Sequence, residues 1–210
     1  GWESKVEMGK GRSMGIEFMA QKTLGKTTGW LSYTLSKSDR KFAKGAINNG
    51  ERFPYKYDRR HNINLTLNHK FSERIDIGAS WVFYTGGTST IPEEKTTIIR
   101  PGNGANNGFI VGFDNYYNPI YNNSPNVGEA NYIEHRNNYR LPASHRLNIG
   151  INFNKKTKHG MRIWNISLYN AYNSMNPAWV FRSHNDDGKS VIKKYTLLPC
   201  IPSFTYTYKF

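Results

Sequence analysis

The chemistry open to this chain is limited by its reactive side chains. It has one cysteine, Cys200, and six histidines, His61, His69, His135, His145, His159 and His184. No His pair and no His–Cys pair has metal-ligand spacing. Cys200 lies between Pro199 and Ile201 just ahead of a strand-like segment, which suits a structural thiol better than a nucleophile, and a lone cysteine allows no internal disulfide. Asp186–Asp187–Gly188 resembles a turn but lacks the rest of a calcium loop. The Gly102–Gly108 stretch is glycine-rich, yet the Gly-Lys-Ser/Thr ending of a phosphate loop is missing. Charge is densest at Asp58–Arg59–Arg60–His61. A catalytic base is conceivable there, but a salt-bridged strand entrance accounts for it without chemistry. These residues predict no catalytic site, no metal and no cofactor, and a protein that is not an enzyme.

Recognition chemistry is better represented. Phe109, Phe113, Tyr116, Tyr117, Tyr121, Tyr132 and Tyr139 are set among Asn and Gly in a long connection, about residues 86–144. Aromatic rings on adaptable polar loops supply contact area at low entropic cost, so these seven are the candidate ligand- or partner-binding residues. The competing accounts are rings that only cap the structure beneath them and a disordered loop tip.

The elements that would carry this loop alternate with a period of two. In Pro202–Phe210 the aromatic Phe204, Tyr206, Tyr208 and Phe210 alternate with Ser203, Thr205, Thr207 and Lys209, the pattern of a strand with two unlike faces. The same alternation spans Ser13–Leu24, Gly29–Ser36, His61–Phe71, Ile75–Thr85, His145–Phe153 and Met161–Asn173, and more weakly Glu3–Met8. About eight strands of roughly nine to eleven residues result, the length a tilted strand needs to cross a bilayer. Short connections are expected at Gly25–Thr28, Ser72–Arg74 and Asn154–His159, and long ones at Lys37–Arg60, Gly86–Ser144 and Ser174–Cys200, with a tight hairpin around Lys10–Arg12. Alternate loops of an antiparallel meander share a side, so nearly all the long ones fall together, as in outer-membrane barrels. Asn62, Asn64, Asn68, Asn148, Asn152, Asn165 and Asn170 are read as lying within strands, where Asn is disfavoured. In a dry sandwich core each amide left without a partner would cost about 1–3 kcal/mol, a cost that a hydrated lumen removes. Ile63, Leu65, Leu67, Ile149, Ile151, Phe204 and Tyr206 are thus expected to face lipid, and Asn64, Thr66, Asn148, Thr205 and Thr207 a lumen.

Composition sets the outer bounds. The 210 residues are 37% hydrophobic, with 14 Tyr, 11 Phe and 5 Trp, and mean hydropathy is -0.70. No run approaches the roughly 20 apolar residues of a membrane helix, whereas a barrel strand commits only half its side chains to lipid. The formal charge of +14 would suit nucleic acid. The basic residues are scattered beside turns, however, with no recognition helix, zinc-finger spacing or RNA-binding aromatic motif, so nucleic acid is not an expected partner. Basic rims facing anionic lipid are the alternative use of this charge.

Several stretches, in order, resemble a known family. Gly9–Lys10–Gly11–Arg12–Ser13–Met14–Gly15–Ile16–Glu17, Gly29–Ser36, Phe53–His61, Trp81–Gly87, Asn170–Pro177 and the terminal Pro202–Phe210 are similar to the C-terminal barrel half of TonB-dependent outer-membrane receptors of Bacteroidetes-type bacteria. The resemblance implies that residues 1–210 form the last part, about eight strands, of a barrel of about 22 antiparallel strands. It also implies energised nutrient uptake in the outer membrane. The expected partners are outer-membrane lipid and lipopolysaccharide, the barrel-assembly machinery, a surface lipoprotein, and an inner-membrane energy-coupling complex reached through an N-terminal plug region that this chain lacks. Phe204, Tyr206, Tyr208 and Phe210 correspond to the terminal signal read during barrel assembly. Two structural alternatives stay open: an outer-membrane structural, adhesion or envelope-assembly barrel whose loops dock partner proteins, and a self-contained eight-stranded barrel closed by Glu3–Met8 against Ser203–Phe210.

Overall fold

The computed structural model describes residues 6–100, 109–113, 115–117, 119–122 and 126–210, and it is all-β. The strands are β1 (Gly9–Lys22), β2 (Thr27–Phe42), β3 (Phe53–Pro54), β4 (His61–Lys70), β5 (Ile75–Tyr84), β6 (Thr88–Ser89), β7 (Glu94–Arg100) and β8 (Phe109–Phe113). They continue as β9 (Pro119–Asn122), β10 (Asn126–Tyr132), β11 (Tyr139–Arg140), β12 (Ser144–Thr157), β13 (Gly160–Tyr169), β14 (Pro177–His184), β15 (Ser190–Thr196) and β16 (Ile201–Lys209). An eight-stranded antiparallel sheet dominates, in the order β1-β2-β4-β5-β12-β13-β16, with the short β3 added beside β2. Among the described residues no helix is long and apolar enough to cross a membrane. The chain divides into two compact units, one of Gly1–Ile91 with His135–Phe210 and one of Pro92–Glu134.

The register puts the alternation seen in the sequence onto two continuous faces. One cross-strand row carries Leu67, Ala79, Ile149, Leu168 and Pro202, and the next His69, Ile77, Ile151, Ile166 and Phe204. The opposite face carries rows such as Asn68, Gly78, Gly150, Ser167 and Ser203. On the apolar face Tyr33, Trp81 and Phe83 crowd the end toward the long connections, and Trp81 Nε1 donates to Tyr172 Oη at 3.2 Å. Phe153, Trp164 and Tyr206 crowd the other end, with the Trp164 and Tyr206 ring centroids 4.5 Å apart. Aliphatic side chains fill the space between.

Nothing among the described residues covers this face. Among the described residues the buried hydrophobic ones are Phe53 and Ile91, while Ile166 is 51% exposed and Phe204 64%. A single layer that exposes its apolar side is not how a water-soluble domain buries a core. The edge strands β1 and β16 are exposed along their whole length, and the sheet is not closed.

Several boundaries differ from the sequence expectation. Lys10–Arg12 is not a hairpin but part of β1, where Lys10, Gly11 and Arg12 pair with Lys41, Arg40 and Asp39 of β2. Val6–Met8 lie outside any strand and Glu3–Lys5 outside the described residues, so the closing strand of a self-contained eight-stranded barrel is not seen. The path through the main sheet thus has seven strands, with β3 as the eighth member. The turn expected at Asn154–His159 is tighter, since β12 runs to Thr157 and pairs with Gly160. Asn170 lies just past the end of β13 in the left-handed region, at φ 53°, and so belongs to a turn.

The long connections are structured too. Within the stretch Gly86–Ser144, β6 pairs with β11, and Pro92–Glu134 forms its own unit with β7·β10 and β8·β9 pairs. A β14·β15 hairpin fills the connection Ser174–Cys200. At the base of the first, a Cβ on Gly86 would lie 1.9 Å from the Leu141 carbonyl oxygen. Gly86→Ala is therefore expected to cost about 2 kcal/mol or more in thermal unfolding. Gly78→Ala, which meets only the movable Asn68 amide at 3.0 Å, should cost less than about 1 kcal/mol.

Candidate functional site

The polar face is built from short amides bonded across strands. Asn148 Nδ2 donates to Ser80 Oγ at 3.1 Å and Asn64 Nδ2 to Ser32 Oγ at 3.4 Å across strands, while Asn64 Nδ2 also donates along β4 to Asn62 Oδ1 at 3.3 Å. Asn165 Nδ2 donates to Asn152 Oδ1 at 2.7 Å, while Asn152 and Asn154 donate to the two oxygens of Asp76 at 2.7 and 2.6 Å. These amides hold one another in place and none lies in a dry interior; the Gly78–Gly150–Ser167 row leaves a shallow trough between them. At one margin Arg146 lies over the Tyr169 ring, 4.3 Å from its centroid, and donates through Nη1 to the Tyr169 hydroxyl, while its buried Nε has no partner among the described residues.

At the long-connection end the loops fold into a collar around Asp58. The Asp58 side chain is fully buried: Ser38 N–H donates to Oδ1 at 2.6 Å, and Arg60 Nε and Arg140 Nη2 donate to Oδ2 at 3.1 and 2.6 Å. Arg140 Nη1 also donates to the Asp58 and Gly86 carbonyl oxygens, so one guanidinium fastens three segments. Burial alone would raise this carboxyl, but the Arg140 and Ser38 hydrogen bonds and the charges of Arg60 and Arg140 outweigh it and hold Asp58 below its ordinary value. Asp39 is a second buried anchor, paired with Arg52 and with Arg12 Nη2 at 3.3 Å. Asn48 completes the frame, accepting from Arg136 N–H at 2.8 Å.

Beside these anchors lies a recess of about 490 Å³ lined by Arg40, Phe42, Phe53, Tyr55, Lys56 and Arg136 among others. Arg40 stacks over Tyr55 at 4.0 Å from the ring centroid. Cations beside ring faces can hold a ligand that joins negative charge to a planar or apolar body.

The seven loop aromatics are divided between the two units. Tyr139 lies on β11, paired with Ser89 in the larger unit. Tyr116 and Tyr117 are 86% and 88% exposed and Tyr132 about half exposed, all in the smaller unit. The side chains of Phe109, Phe113 and Tyr121 lie outside the described residues. Phe204, Tyr206 and Tyr208 share one face of β16, and Phe210 follows fully exposed. The sequence marked the charge-dense Asp58–His61 stretch; it carried no signal for Arg140, whose partnership spans 82 positions.

The turn after β13 shows why its asparagines recur. Asn170, 1% exposed, donates through Nδ2 to the Ser174 and Leu198 carbonyl oxygens, and Asn173 Oδ1 accepts from Cys200 N–H at 2.9 Å. Asn176 exchanges two hydrogen bonds with the His145 backbone, at 2.9 and 2.8 Å. Together they clamp the start of β12, the end of β13 and the approach to β16. The chain is thus an all-β protein whose main sheet is antiparallel, with one bare apolar face and one amide-laddered polar face. No protein-family model, curated protein or solved structure matches it.

Proposed function

We propose that this chain is part of a transmembrane β-barrel in the bacterial outer membrane, of the TonB-dependent receptor type, which takes up a nutrient by energised transport and is not an enzyme. The observation that carries the reading is the bare apolar face with aromatic rings at both ends, backed by a polar face of cross-strand amides. That is the division between lipid and lumen in outer-membrane barrels. The collar recess lies at the end that would open outward, where a ligand of negative charge and planar or apolar body would first be held. Phe204, Tyr206, Tyr208 and Phe210 serve in this reading as the assembly signal, and the loop aromatics as contacts for ligand or a surface lipoprotein.

The test is removal of the whole gene followed by uptake measurements on candidate anionic nutrients. Loss of accumulation of one nutrient, reproduced by collapse of the proton-motive force in the parent strain, supports transport. Unchanged uptake together with loss of a surface complex would instead establish the docking barrel.

A further inference from the structure

At the short-turn end, the apolar face stops at a cluster of four cations against a single carboxylate, Glu73. Lys155 and Arg162 are directly opposite each other across β12 and β13, an arrangement that is unfavourable when left bare. They sit one row beyond Phe153 and Trp164, which are likewise cross-strand partners. With Arg74, from the turn between β4 and β5, and Lys156, these residues line a recess of about 810 Å³. The one acid that lines it, Glu73, is engaged by Lys70 at 2.8 Å. The recess is continuous with the apolar face, because Ile75, Phe153 and Trp164 belong to both.

We propose that this recess binds an anionic glycerophospholipid, with its phosphate among Arg74, Lys155 and Arg162 and its acyl chains along Phe153 and Trp164. The inference rests on the membrane reading above and adds a specific lipid site to it. A phosphate oxyanion relieves the repulsion between Lys155 and Arg162, and guanidinium groups bind it through paired N–H donors. The acyl chains continue over side chains that are already bare, while Trp164 sits where amphipathic rings prefer the boundary between head group and hydrocarbon. Scattered surface cations would attract anionic membranes in general; three of them over an aromatic step hold one molecule.

The test uses the whole protein that carries this chain, reconstituted in phosphatidylcholine vesicles with and without phosphatidylglycerol. Lipid retained on the extracted protein is counted by native mass spectrometry. Arg74→Gln/Lys155→Gln/Arg162→Gln is expected to lower phosphatidylglycerol retention by on the order of tenfold or more. The equal charge loss Lys26→Gln/Lys44→Gln/Lys193→Gln should leave it unchanged. Arg162→Lys, which keeps the charge, guards against misfolding and should retain most of the binding. Equal retention by the triple variant and the parent would overturn the site while leaving the barrel intact. Failure of the parent to insert into either vesicle would overturn the membrane reading, and the lipid site with it.

Discussion

Ile149→Arg should prevent stable insertion of the protein into bilayers, raising the free energy of the inserted state by about 2–4 kcal/mol. Ile149 sits mid-face, between Ala79 and Leu168 in the cross-strand register. A guanidinium there would meet hydrocarbon with no acceptor on its own face. Thr66→Arg, on the polar face opposite Ser80, should cost less than about 1 kcal/mol, since a lumen leaves the charge hydrated. The measurement is the fraction folded into phosphatidylcholine vesicles, read by heat-modifiable migration and tryptophan emission. A soluble sheet would reverse the outcome: Ile149→Arg would then improve solubility and leave the fold intact, which would falsify the membrane assignment.

The second large effect is expected at Asp58. Asp58→Ala leaves Arg60, Arg140 and the Ser38 N–H without their common acceptor, at a cost of about 2–3 kcal/mol. The figure falls below that of a fully enclosed pair because both guanidiniums reach solvent. The pH dependence follows from the direction of the shift. In the folded collar the carboxyl titrates below its ordinary value of 3.8, so its contribution is fully present above that value. It is lost as pH falls below 3.8 through the lower folded value. Protection of the Ser38 and Leu141 amides against exchange, taken relative to their intrinsic rates at each pH, should therefore fall at acid pH in the parent protein. In Asp58→Ala exchange at both amides should already be fast at neutral pH and show no further acid step of this origin. An identical acid response in the two proteins would remove Asp58 from this role.

Much of the sheet was legible in the sequence because its strands are two-faced. In His61–Lys70 every Ile and Leu falls at odd positions and every internal Asn and Thr at even ones, so the strand and its facing follow from pattern alone. The early glycines misled for a physical reason. Gly9 and Gly11 have the look of a turn, but they pair with Phe42 and Arg40 of β2, and a Cβ on Gly9 would lie 2.7 Å from the Phe42 ring. Close packing and chain reversal select the same residue type, and only the partner strand tells them apart. The collar was half legible: Asp58 and Arg60 are neighbours in sequence, whereas Arg140 reaches them through the β6·β11 pairing. Parts of the Gly86–Ser144 connection were hidden by their Asn- and Gly-rich composition, whereas the β14·β15 hairpin carries a strand-like run, Ala178–Phe181, within a stretch expected as a loop.

The two unpaired edges carry a counting rule. Seven strands alternate in direction from β1 to β16, so the first and the last point the same way. Joining them directly would create a parallel seam, and so would a ring of identical copies about a common axis, since every copy keeps the same sense. An all-antiparallel cylinder that includes this sheet must therefore draw an odd number of strands from outside it. Such a cylinder is a composite whose seam is fixed by arithmetic, and any candidate neighbour can be accepted or rejected by counting its strands before a single contact is measured.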